Sequence, residues 1–135
     1  RGSIILVMLS CVSSHIFKKV IVRINNNNRI LISAMSTSIK ALTENAIKEN
    51  KVMVFSKSYC PYCMKTKSSL QDLGITYNVF ELDNMDEGAD IQAALLAMTN
   101  QRTVPNVFVN GKHIGGNDAT QAALKDGTIK KLLGM

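Results

Sequence analysis

Val52-Met53-Val54-Phe55, then Ser56 to Tyr59, then Cys60-Pro61-Tyr62-Cys63 running on to Leu73 and Gly74, is the stretch that decides the fold. Four apolar residues bounded by polar ones read as a short buried strand, and the polar residues after them as a loop. Pro61 suits the first turn of a helix, where its missing N–H costs nothing, and Gly74 suits the position just past the end. Strand, loop and helix make the first half of a βαβ unit. Outward from it, Ile39, Leu42 and Ala46 recur at helical spacing, so a first helix is predicted from about Ser38 to Lys48. Tyr77 to Leu82 reads as a second strand, and Gly88 to Thr99 as a helix with Ile91, Leu95 and Met98 on one face. Val107 to Val109 and Lys112 to Ile114 flank Asn110-Gly111, the strongest short signal for a two-residue hairpin turn. One or two helices fill Ala119 to Leu133. Strands alternating with helices and then a terminal hairpin predict an α/β domain, a small mixed four-stranded sheet flanked by helices on both faces.

The chain is 135 residues long, about one domain's worth, and 46% hydrophobic, an ordinary globular value. Three cysteines and two prolines exclude a disulfide-stapled scaffold and a proline-rich linker. The early apolar run Ile4 to Leu9 is far short of the roughly 20 residues that cross a bilayer. The net charge of +6 is confined to one end, because Arg1, Lys18, Lys19, Arg23, Arg29 and Lys40 precede the first acid, Glu44. From Glu44 onward basic and acidic residues balance, so no basic surface remains for nucleic acid. Residues 1–35 read as a leader or targeting extension and 36–135 as the domain, with Arg1 to Ser3 a candidate tag remnant. An acid-poor leader containing Ser and Arg points to mitochondria; the alternative, in which Ile4 to Val12 is the apolar part of a secretory signal, is weaker. Met35 offers an internal start for a leaderless cytoplasmic form.

Cys60 and Cys63, three apart at a helix start, lie on one face with sulfurs close enough to bridge. At the N-cap, free backbone N–H groups and the positive helix end stabilise a thiolate, and Lys57 adds a cation. Cys60 is therefore the expected nucleophile and Cys63, one turn inside, the resolving thiol. The competing reading is half of a zinc site. Zinc wants four ligands, and what is left is Cys11 and His15 in the leader and His113 in the hairpin. A pair following a strand in a βαβ pattern favours redox chemistry, and no metal site is expected.

Lys57 to Cys63, Gln101-Arg102-Thr103-Val104-Pro105 and Asn110 to Gly116 together resemble the dithiol glutaredoxins, especially those of fungi. The resemblance covers about Ser36 to Met135 and implies a thioredoxin-like fold, with Pro105 in the cis form. It implies a glutathione-dependent thiol–disulfide oxidoreductase that acts on glutathione mixed disulfides and protein disulfides. Glutathione would be co-substrate, with no metal or organic cofactor, and the chain a monomer. By the same resemblance Lys57, Gln92 and Arg102 hold the glycine carboxylate of glutathione, and Tyr62 forms a side wall. Thr103, Val104 and Pro105 offer backbone to the cysteinyl part. Gly115 and Gly116 admit a close approach, and Asn117 and Asp118 meet the γ-glutamyl end at a helix N-terminus. The family usually has a second acid where this chain has Ala119, so Asp118 is asked to act alone. Two alternatives stay open. An iron–sulfur module would share a cluster between two Cys60 thiols and two glutathiones, against which Pro61 argues. A thioredoxin is opposed by Tyr62 and the Gly115-Gly116 turn.

Overall fold

The computed structural model describes residues 31–135, with side chains from Thr37 onward. Five helices, α1 (Leu31–Glu49), α2 (Pro61–Asp72), α3 (Gly88–Thr99), α4 (Asn117–Lys125) and α5 (Thr128–Leu133), accompany four strands. The strands are β1 (Val52–Ser56), β2 (Asn78–Glu81), β3 (Asn106–Val109) and β4 (Lys112–Gly115), in spatial order β2-β1-β3-β4. β1 runs parallel to β2 and antiparallel to β3, so the sheet is mixed, as expected. All five residues of β1 are buried, the apolar run Val52 to Phe55 together with the polar Ser56.

Alternation along the strands divides the core in two. Met53, Phe55 and Phe108 face α1 and α3 with Ala46, Ile47, Ile91 and Leu95, whereas Val52, Val54, Val107 and Val109 face α2, α4 and α5 with Leu70, Ala123 and Ile129. Phe55 is central to the first layer, meeting Phe80 and Phe108 edge-on at centroid distances of 5.7 and 5.8 Å. Such pairs add about 0.5–1.5 kcal/mol each beyond burial.

Local chemistry sets the ends of α2. Cys60 is the N-cap and Pro61 opens the helix. At the far end Gly74 takes φ 67°, its N–H donates to Gln71 O at 2.9 Å, and that of Ile75 to Leu70 O at 2.9 Å. This pair of bonds is the Schellman stop, and Ile75 and Leu70 are buried in the same layer. Gly88 opens α3 because a Cβ there would stand 1.8 Å from the carbonyl oxygen of Leu82. The β3–β4 hairpin turns on Asn110 and Gly111, with φ 47° and 78°, the left-handed pair that a two-residue turn requires. Val107 pairs with Gly115 but Phe108 with His113, so Ile114 is an extra residue in β4.

Four expectations need correction. α1 begins at Leu31, not near Ser38, since no Gly or Pro interrupts the run and each further residue adds a hydrogen bond. Its buried side chains are Thr43, Ala46 and Ile47, with Ile39 half-buried, while Leu42 is exposed. Thr43 tolerates burial by donating to Ile39 O at 2.8 Å. Met98 likewise is exposed while Ile91 and Leu95 are buried. The second strand is shorter than predicted, Leu82 starting a 3-10 turn, Leu82–Asn84, that lets α3 double back. The leader expectation falls for residues 1–30, with Cys11 and His15, outside those described, while residues 31–35 belong to α1.

Candidate active site

β1 delivers the chain to a four-residue loop that ends at Cys60, whose N–H donates to Lys57 O at 3.0 Å. Cys60 has extended backbone, and its Sγ accepts the Cys63 N–H at 3.4 Å, so a helix-start donor without an intrahelical partner is aimed at sulfur. On its other side the Cys60 thiol lies 3.9 Å from Val104 O. Both thiols are free, Cys60 partly exposed and Cys63 fully buried. Burial, reinforced by the hydrogen bond to Cys60, pushes the Cys63 thiol up to about 11, against smaller opposing effects of the Lys57 backbone and the Ser56 hydroxyl. Cys63 is thus a protonated thiol near pH 7.

The loop before Cys60 is clamped from a direction the sequence reading missed. Asp83 accepts the Ser58 N–H at 2.8 Å through Oδ1 and the Ser58 hydroxyl through Oδ2. The Ser58 bonds, with the Lys57 charge as a smaller contribution, hold the Asp83 carboxyl below its usual range. Parallel pairing ends with Ser56 opposite Glu81, so the loop that carries Ser58 and the turn that carries Asp83 leave the sheet side by side.

Tyr62, Thr103, Val104, Pro105, Gly116, Asn117 and Asp118 do come together, with Ala119, around a groove of about 390 Å³. The Val104–Pro105 bond is cis. Gly115 takes φ 127°, and a Cβ there would crowd Ala119 Cβ at 3.0 Å, so this turn requires glycine. Lys57, Gln92 and Arg102 stand outside the lining. Gln92 donates to Arg102 O at 2.9 Å, Arg102 is exposed, and half-buried Lys57 sits beside Asp83. The Asn117 carboxamide turns inward, accepting from Thr66 Oγ1 at 3.2 Å and donating to Asp118 Oδ1 at 3.1 Å, so a residue of the groove lining also ties α4 to α2. Among the described residues no group of three His, Cys, Asp or Glu is placed to hold a metal, and no helix is long and apolar enough to cross a membrane. A larger cleft of about 540 Å³ between α1 and α3 holds no thiol, so chemistry and not size picks the smaller groove.

Residues 52–114 match the family model Glutaredoxin. A glutaredoxin of Ricinus communis is 52% identical over 67% of this chain and 89% of its own length, and glutaredoxin-C4 of Arabidopsis thaliana 44% over 78% of each. Both are plant proteins, so the match does not single out the fungal members suggested by the motifs. The crystal structure of a buckwheat glutaredoxin–glutathione complex superposes with a TM-score of 0.72 and 42% identity, covering 75% of this chain and 92% of that one. Identity of this order, over most of each relative and on the same fold, means that the chain belongs to the glutaredoxin family, the glutathione-dependent thiol–disulfide oxidoreductases.

Proposed function

We propose that Cys60 attacks the glutathione sulfur of a protein–glutathione mixed disulfide, releasing the protein as its thiolate and leaving glutathione on Cys60. A second glutathione thiolate then attacks that sulfur, giving oxidised glutathione and restoring the Cys60 thiolate. For dithiol substrates Cys63 attacks the mixed disulfide on Cys60 and closes the internal disulfide. The observation that carries this reading is the position of Cys60 Sγ, which receives a helix-start N–H on one side and faces Val104 O, a wall of the groove, on the other. Glutathione would lie in the groove with its cysteinyl part along Thr103 and Val104 and its γ-glutamyl end at Asp118, in the first turn of α4. Lys57, Gln92 and Arg102 would take the glycine carboxylate as it emerges beyond the lining. One Cys60 and one groove suffice for each step, so the chain works as a monomer, without metal or organic cofactor. Residues 1–35 act as a leader to mitochondria, with a form started at Met35 in the cytoplasm; their acid-free composition supports this.

The test is a coupled assay with glutathione, glutathione reductase, NADPH and a small glutathione mixed disulfide. Steady NADPH consumption that depends on the protein is expected. Its absence would remove the proposal.

A further inference from the structure

Gln101 is absent from the groove lining, yet its carboxamide reaches both walls of the groove from behind. Nε2 donates to Thr103 O at 3.0 Å and to Pro105 O at 2.9 Å. Two carbonyl acceptors fix which end of the amide faces them, because the oxygen end would meet two like dipoles. Both amide hydrogens are therefore used on the two residues that flank Val104. Val104 O is turned instead toward Cys60 Sγ. The same carboxamide also backs the second wall, its Nε2 lying 3.7 Å from where a Cβ of Gly116 would be and its Oε1 3.8 Å from that of Gly115.

Gln101 is itself anchored. Its N–H donates to Thr99 Oγ1 at 3.2 Å, and that hydroxyl donates to Leu95 O at 2.8 Å at the end of α3 and accepts from Asn106 Nδ2 at 3.4 Å. A strap thus runs from the last turn of α3 through one side chain to the Thr103–Pro105 segment. We infer that Gln101 is a positioning residue for glutathione recognition: its amide donors hold the Thr103 and Pro105 carbonyls inward, so that Val104 stays presented to the peptide beside Cys60. The inference rests on the glutathione reading above and names the device that keeps its groove in shape. Because Gln101 does not reach Cys60, it should govern capture of the glutathionyl group and leave the nucleophile alone.

The experiment compares wild type with Gln101→Met, which keeps length but has no donor, Gln101→Glu, which sets a carboxylate against two carbonyls, and Gln101→Lys, which restores donors. KM and kcat are measured with the glutathione mixed disulfide, and Cys60 reactivity by the rate of alkylation with iodoacetamide. Losing two hydrogen bonds to one amide should raise KM about 10-fold in Gln101→Met and further in Gln101→Glu, with kcat and alkylation within about twofold of wild type. Gln101→Lys should recover most of the loss. The inference is overturned if KM is unmoved in Gln101→Met and Gln101→Glu, if Gln101→Lys is as impaired as Gln101→Met, or if kcat and alkylation fall together with the melting temperature. Wild type that does not turn over the mixed disulfide sinks the glutathione reading and the strap with it, whereas an active wild type with unaffected variants sinks the strap alone.

Discussion

Cys60 and Cys63 share a motif and a helix face, but one turn of helix separates a partly exposed sulfur from one with no access to water. That difference predicts how their substitutions behave. Cys60→Ser should abolish all activity, while Cys63→Ser should keep removal of glutathione from proteins and lose reduction of protein disulfides, because the resolving thiol is needed in the second reaction alone. A Cys63→Ser enzyme inactive on glutathione mixed disulfides would reverse the assignment. The buried thiol also has a consequence for stability. Its pKa rises from 9.0 to about 11 on folding, so the folded chain keeps a proton that the unfolded chain releases. Stability from this group is complete below about pH 9 and is lost as pH climbs from there toward 11, by up to roughly 2–3 kcal/mol. Denaturation of the reduced protein should therefore show wild type losing more stability across that window than Cys63→Ser. Equal losses would mean that burial does not hold the proton on Cys63.

At the scale of the element, the start of α4 is where this chain departs from the pattern it resembles. Gly116 is the N-cap, Asp118 lies in the first turn and is held by Asn117 Nδ2, and Ala119 lines the groove without a charge. If Asp118 meets the γ-glutamyl ammonium, Asp118→Ala should cost about 1–2 kcal/mol, roughly a 5- to 30-fold drop in kcat/KM with glutathione mixed disulfides. Ala119→Asp should act oppositely, since a helix start tolerates an added acid. Unchanged kinetics in Asp118→Ala would mean that the γ-glutamyl end is held elsewhere. α2, α3 and the β3–β4 hairpin could be read because their ends are decided by neighbours in the chain: Pro61, Gly74, Gly88 and the Asn110-Gly111 pair. The groove residues were legible through motif resemblance. Asp83, the inward turn of Asn117 and the strap at Gln101 were not, because each bond depends on a partner brought close by sheet register or helix packing.

On the scale of the whole molecule, the sheet separates two apolar layers, and α1 contributes to one of them through a short segment. Ala46 and Ile47 belong to that layer, Ile39 packs against it, and Thr43 is fully buried, so every described contribution of α1 to the core comes at or after Ile39. Residues 36–135 form a compact unit of their own. A chain begun at Met35 lacks residues 1–34 but keeps all of these side chains, and of α1 it loses the first turn alone, where a helix frays at little cost. Its melting temperature should stay within about 3 °C of the full chain, less than the roughly 4–8 °C expected for 1 kcal/mol in a domain of this size, and its activity should be unchanged. A chain begun at Glu44 supplies the contrast. It loses Ile39 and the buried Thr43, leaves Ala46 and Ile47 on a fraying end, and should melt about 5–15 °C lower. Parallel thermal melts of the three proteins decide the matter. A large drop already at Met35 would mean that residues before it pack on the domain; no drop at Glu44 would mean that α1 adds nothing to the core.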